Sequence, residues 1–174
     1  IRAAGAPSST SGPARADTNS DWDWQSGRVW ARLAGMLHTS FDLVGVGNPI
    51  IDVLAQVPES FLKEIGGEKG GMVLTDAESI AHWMAALPQP FTEAPGGSAG
   101  NTLFAAARLG LRTTFIGKTG NDSGGAFYRE RLEALGGDAS RFKDGQVPNG
   151  RCLSLITPDS QRTMRTDLGA AATL

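Results

Sequence analysis

Ala94-Pro95-Gly96-Gly97-Ser98-Ala99-Gly100-Asn101-Thr102 is the stretch around which the chain is built, and a small-residue helical segment (103–109), Gly110 and an apolar strand follow it. Gly96 and Gly97 allow backbone to approach a ligand closely or to take positive φ, while Ser98 and Asn101 are able to cap the helix or to bond hydroxyls. The first amides of a helix lack intrahelical partners, so a helix entered through glycines attracts anions and polar ligands. Local chemistry leaves two readings: a ligand site, or an ordinary glycine-rich turn into an N-capped helix. The segments on either side have to separate them.

Working outward, residues 113–116 read as a strand. Residues 125–135 read as a helix with Phe127, Leu132 and Leu135 inward, closed by Gly136-Gly137. Residues 151–157 and 161–166 look like strands joined through Pro158-Asp159-Ser160 as a hairpin. Upstream, residues 41–46 form a strand, Gly47-Asn48-Pro49 a turn, and the β-branched run 50–57 a second strand ended by Pro58. A short helix over 59–65 closes at Gly66-Gly67, and 71–74 is a short strand. Thr75 and Glu78 have capping-box spacing ahead of a helix whose apolar face is Ile80, Trp83, Met84 and Leu87, stopped by Pro88 and Pro90. Alternating strands and helices predict an α/β fold with a largely parallel sheet carrying an antiparallel appendage.

Composition bounds the function. The chain has 174 residues, 40% hydrophobic content and a formal charge of -2, which suits one soluble domain or part of a larger one. Nothing is basic enough to suggest nucleic acid. No run approaches the roughly 20 apolar residues of a membrane span. The single cysteine, Cys152, reads as a buried strand residue rather than a catalytic thiol and favours a reducing compartment. His38 and His82 are too isolated for a metal site. Residues 3–20 are rich in Ala, Gly, Pro, Ser and Thr, and Trp22, Trp24 and Trp30 follow. Residues 1–40 are therefore expected to be a disordered leader or extraneous segment, with Met36 a plausible start. A tryptophan-bearing docking segment is the alternative. Arg2, Arg15, Arg28 and Arg32 hint at a transit peptide, against Asp17, Asp21 and Asp23, so a cytoplasmic location is expected and an organellar one is its alternative.

Phosphate-binding motifs fail when tested. Gly45-Val46-Gly47 follows a strand, but the third glycine of the dinucleotide fingerprint is replaced by Ile50. Gly117-Lys118-Thr119 has the end of a P-loop, but Arg112 stands where its first glycine belongs, so Lys118 is expected to be a solvated residue at a strand end. No Ser-His-Asp or Cys-His arrangement is legible, and a hydrolase reading has no support.

Three blocks taken together resemble the ribokinase or pfkB family of carbohydrate and nucleoside kinases: Gly47-Asn48-Pro49-Ile50-Ile51-Asp52, Gly96-Gly97-Ser98-Ala99-Gly100-Asn101, and Phe115-Ile116-Gly117-Lys118-Thr119-Gly120 with Asp122 and Gly124. The form of the first two blocks, and of residues 162–171, is similar to the adenosine kinase branch. The resemblance covers residues 41–174. It implies a ribokinase-like, Rossmann-type three-layer α/β domain with a small β-sheet lid made from residues 50–57, 72–74 and the 151–166 hairpin. It implies ATP-dependent transfer of phosphate, with Mg2+, to a hydroxymethyl group of an adenosine-like nucleoside or a sugar.

On that resemblance, Asn48 and Asp52 would meet the acceptor near the lid hinge, Gly96 and Gly97 would pass backbone close to it, Asn101 would bond another hydroxyl, and Ser98 would cap or touch ligand. Arg162 resembles a basic position near the transferring phosphate, with a solvated hairpin charge as the alternative. The family's Gly-Ala-Gly-Asp motif, which carries the general base and the anion hole, does not occur in the sequence. The chain is accordingly expected to be the acceptor-binding half, with the C-terminal half missing, inactive by itself and prone to aggregate. A non-catalytic sugar-, nucleoside- or partner-binding module is the alternative class. The expected partner is a small molecule, with no nucleic acid and no membrane; the oligomeric state stays open.

Overall fold

The computed structural model describes residues 40–174. The expectations for the leader, for Met36 and for the early tryptophans lie outside the described residues. In chain order the elements are β1 (Leu43–Val46), β2 (Ile51–Gln56), α1 (Glu59–Ile65), β3 (Met72–Leu74), α2 (Ala77–Ala86), β4 (Thr92–Pro95), α3 (Ser98–Arg108), β5 (Thr113–Ile116), β6 (Lys118–Gly120), α4 (Ser123–Glu133), β7 (Lys143–Gly145), β8 (Asn149–Ile156) and β9 (Arg162–Gly169), followed by a 3-10 turn, Ala170–Thr173.

The alternation along β2 organises the larger sheet. Ile51, Val53 and Ala55 are buried, whereas Asp52, Leu54 and Gln56 point to the opposite face. Its strand order is β3-β9-β8-β2-β4. In register, Val53, Leu153 and Arg165 line up on the buried face, and Asp52, Cys152 and Thr166 on the other. Phe61, Leu62 and Ile65 of α1, Ile80 of α2 and Leu87 cover the buried face, and Trp83 and Met84 pack against this cluster, so the apolar spacing of Ile80, Trp83, Met84 and Leu87 faces the sheet as expected. Arg165 is almost completely buried and donates to the carbonyls of Met164 (2.8 Å) and Gly66, so it ties the end of α1 to β9. Desolvation holds its pKa below the usual arginine value.

A second apolar cluster joins Leu103 and Phe104 of α3, Phe115 of β5, Tyr128 and Leu132 of α4, and Phe142. The strands β1 and β5 pair in parallel, Leu43 opposite Thr113 and Val46 opposite Ile116. Gly45 supplies the room for α3, because a Cβ there would meet Leu103 Cγ at 2.9 Å. The glycine pair that imitates a dinucleotide fingerprint therefore has a packing role. The opposite face of this ribbon, with Val44, Val46 and Ile116, is exposed.

The structure corrects several expectations. Asp76, not Thr75, caps α2: its Oδ1 accepts from the Ser79 amide at 2.7 Å. The Thr75 amide still bonds Thr166 O at 2.8 Å, so the extended chain runs one residue further and the helix starts one residue later. Neither Ser98 nor Asn101 caps α3; Gly97 occupies the cap with φ +82° and no side-chain bond is made there. Lys118 is not simply solvated, since it donates to Thr173 O (2.6 Å) and Thr173 Oγ1 (3.0 Å). Strands β4, β6 and β7 were not anticipated; β6 and β7 have three residues each and take their order from pairing with one another. Of the inward face expected for α4, Leu132 is buried and Leu135 partly so, but Phe127 packs against the cluster of the larger sheet, and Tyr128 takes its place inside. The α/β class stands as expected, and the strands at 51–56, 72–74, 149–156 and 162–169 all join the five-stranded sheet.

Candidate functional site

The site forms where the five-stranded sheet passes into α3. Strand β4 runs antiparallel to β2, placing Ala94 opposite Asp52 and Pro95 opposite Ile51. The Gly96 amide extends the pairing by donating to Ile50 O at 2.8 Å. Gly96 thus lies diagonally beside Asp52. A Cβ on Gly96 would stand 2.6 Å from Asp52 Oδ2 and closer still to Cγ and Oδ1. Only a residue without a side chain lets this carboxylate rest against the loop.

Gly97 solves a second problem. Its φ of +82° turns the chain into α3, and any Cβ would run into the Asn48 carbonyl. Asn48 is exposed, and its carbonyl accepts from the Ile50 amide at 3.0 Å, closing the tight turn between β1 and β2. The Asn101 amide donates to Gly97 O at 2.8 Å as the first helical bond of α3, which leaves its side chain exposed. Ser98 is exposed, and its carbonyl receives the Thr102 hydroxyl at 3.1 Å.

Five of the predicted residues, Asn48, Asp52, Gly96, Gly97 and Asn101, are therefore linked by contact or by backbone hydrogen bond, and Ser98 adjoins them in the chain. Arg162 stands apart at the start of β9, exposed, on the same sheet face as Asp52. Burial pushes the Asp52 carboxyl up from the usual carboxylate range, and the Arg162 charge pulls in the opposite direction. The same face holds Cys152, buried as expected, with its thiol pKa pushed up by burial. Among the described residues no three His, Cys, Asp or Glu side chains gather as a metal site.

Sequence reasoning missed two side chains behind the loop. Tyr128, completely buried, donates its hydroxyl to Gly96 O at 2.9 Å. The spacing Tyr128, Leu132, Leu135 was the available signal, since i, i+4, i+7 marks one helix face. Asn149, also buried, accepts from the Gly120 amide at 3.1 Å and donates to Pro49 O (3.0 Å) and Gly150 O (3.2 Å). It fastens the turn beside Asn48 to the start of β6–α4. A single asparagine in sequence gives no sign of such a role.

Residues 69–174 match the sequence profile of the pfkB family carbohydrate kinases, well over half of the chain. The chain belongs to this family. Among its pfkB relatives, the adenosine kinase of Saccharomyces cerevisiae is 33% identical over 140 residues, 74% of this chain and 40% of that protein. Two solved structures share the fold: the adenosine kinase from Sinorhizobium meliloti (TM-score 0.68, 36% identity) and a probable sugar kinase from Rhizobium etli (TM-score 0.66, 33% identity). Each aligns with 77% of this chain and 41% of its own. The chain thus spans about 40% of the length of the pfkB proteins it matches, and the ribokinase-like α/β architecture holds over that span.

Proposed function

We propose that this pfkB chain forms the acceptor-binding part of an ATP-dependent phosphotransferase, which phosphorylates the hydroxymethyl group of an adenosine-like nucleoside. The observation that carries the reading is the half-buried Asp52 carboxylate seated on the bare backbone of Gly96 and Gly97 at the entrance to α3. A desolvated carboxylate is an acceptor-only group that bonds adjacent ribose hydroxyls strongly, and a polyol lacking one of them leaves it unmatched. Asn101 and Asn48, exposed at the rim, supply amides for further hydroxyls. Arg162 adds positive charge to the sheet face above them, of the kind that stabilises a transferring phosphoryl group. The five-stranded sheet acts as a lid that keeps water from the phosphoryl group.

ATP is the phosphoryl donor of the family chemistry. Mg2+ would enter with the ATP phosphates, needing only one or two carboxylates from the protein and supplying charge neutralisation at the phosphoryl group. Sugar is the second acceptor, favoured by the likeness to a probable sugar kinase at an identity close to that of the adenosine kinases.

The test is ATP-dependent product formation by the full-length protein with adenosine and with D-ribose, repeated with Asp52→Asn. Adenosine turnover that falls about 100-fold or more in kcat/KM in the variant is expected, since two charge-assisted hydrogen bonds are weakened. Turnover of ribose alone assigns the sugar reading, and turnover unaffected by Asp52→Asn refutes the site.

A further inference from the structure

The loop at Gly96 has a support that the acceptor site does not by itself require. Tyr128 presents its ring to three aromatic neighbours, Phe104 (centroids 5.5 Å apart), Phe115 (6.1 Å) and Phe142 (5.8 Å), each edge-to-face. A ring held on three sides cannot shift, so its hydroxyl is a fixed point. A phenylalanine would fill this cluster equally well. The hydroxyl is instead buried, which is unfavourable without a partner, and its hydrogen bond goes to Gly96 O at 2.9 Å.

Gly100 shows that the neighbouring helix accommodates this group. It lies in the first turn of α3, where glycine is a poor helix former, yet a Cβ there would stand far inside van der Waals contact distance of the Tyr128 oxygen and 3.4 Å from Cζ. Two locally unfavourable choices, a buried hydroxyl and a helical glycine, are explained by one contact. Burial and the nearby Asp52 charge both raise the phenol pKa, so the hydroxyl keeps its proton and remains a donor.

We infer that Tyr128, seated against Gly100, is a positioning residue for acceptor binding: its hydroxyl holds the Gly96 carbonyl and so fixes the loop surface on which Asp52 and the acceptor meet. The inference rests on the acceptor-site reading above. Tyr128 is wholly buried behind the loop, so it acts through Gly96.

The experiment uses the full-length protein, with adenosine and D-ribose as probes, and compares the parent, Tyr128→Phe, Gly100→Ala and the double variant. Tyr128→Phe is expected to raise the KM of the accepted probe about 10-fold, the worth of one buried hydrogen bond, with the KM for ATP unchanged. A purely structural role would lower activity without singling out the acceptor. Gly100→Ala is expected to weaken the acceptor too, and to do so less in the Tyr128→Phe background, where the obstructing oxygen is gone. An unchanged acceptor KM in Tyr128→Phe, its failure to fold, or an equal effect of Gly100→Ala in both backgrounds overturns the inference while leaving the acceptor site standing. If the parent accepts neither probe, the acceptor-site reading fails and the inference with it.

Discussion

Gly96→Ala isolates the contact on which the proposed acceptor site depends. Its φ lies outside the left-handed region, so alanine is tolerated by the backbone and the only new element is one methyl group. That methyl would stand 2.6 Å from Asp52 Oδ2, about 0.8 Å short of ordinary van der Waals contact, and closer to Cγ. Either the carboxylate swings away or the loop retreats by a similar distance. The Tyr128 bond to Gly96 O and the Gly96 amide bond to Ile50 O resist the second course, so Asp52 is the group that moves. Overpacking of this kind costs about 1–3 kcal/mol of stability. Misplacement approaching 1 Å in a binding constellation costs on the order of 100-fold. Calorimetric titration of adenosine into the full-length protein, beside urea denaturation, separates the two effects. Gly97→Ala is the control, because it adds left-handed strain of about 1–2 kcal/mol to a collision with the Asn48 carbonyl and should lose more stability. A Gly96→Ala protein that binds adenosine within about 3-fold of the parent would refute the placement of Asp52 in the acceptor site, since a shift of that size costs more.

Asp52→Asn should raise thermal stability at neutral pH while removing acceptor binding, because the folded state no longer buries a charge. Since its folded pKa lies above the unfolded value, the parent gains stability as pH falls through the carboxylate range, and scanning calorimetry should show the gap between the two proteins closing there. Asp42 behaves in the opposite sense. Its side chain accepts from the Arg112 amide (2.8 Å) and guanidinium (2.8 Å), which lowers its pKa to about 2. The stability from this clamp is present above the unfolded value of about 3.9 and is lost as pH falls through about 2, so Arg112→Met should flatten an acid denaturation profile in that window. Asn149→Ala leaves the Gly120 amide and the Pro49 carbonyl without their partner and should cost about 2–4 kcal/mol in urea unfolding.

Much of the fold was legible because it rests on local rules. Helix α1 and strand β5 occupy the predicted residues, and the 158–160 turn joins β8 to β9 as the Pro-Asp-Ser sequence suggests. Apolar spacing placed Ile80 and Leu87 in the core. The failures lie where tertiary pairing overrides propensity. Strands β6 and β7 are too short to have a period of their own, and β4, Thr-Glu-Ala-Pro, has little β preference and is a strand because β2 offers an open edge. The α2 cap moved from Thr75 to Asp76 because sheet pairing claimed the threonine amide.

The candidate site divides in the same way. Glycines at 96 and 97, an Asn-Pro turn and an aspartate after two branched residues were visible in sequence, since residue type alone reports where backbone must be bare or must turn. That Asp52 lies against Gly96, that Gly97 faces the Asn48 carbonyl, and that Arg162 shares the face of Asp52 were decided by strand register, which joins residues far apart in the chain. Tyr128 and Asn149 carry no signature of their roles, because a hydroxyl or an amide acquires one only from the partner that folding puts within reach. The sequence by itself determined which residues could line the site; the tertiary structure alone decided what holds them in place, because hydrogen bonds across 32 and 100 residues of chain exist only after the two clusters have packed.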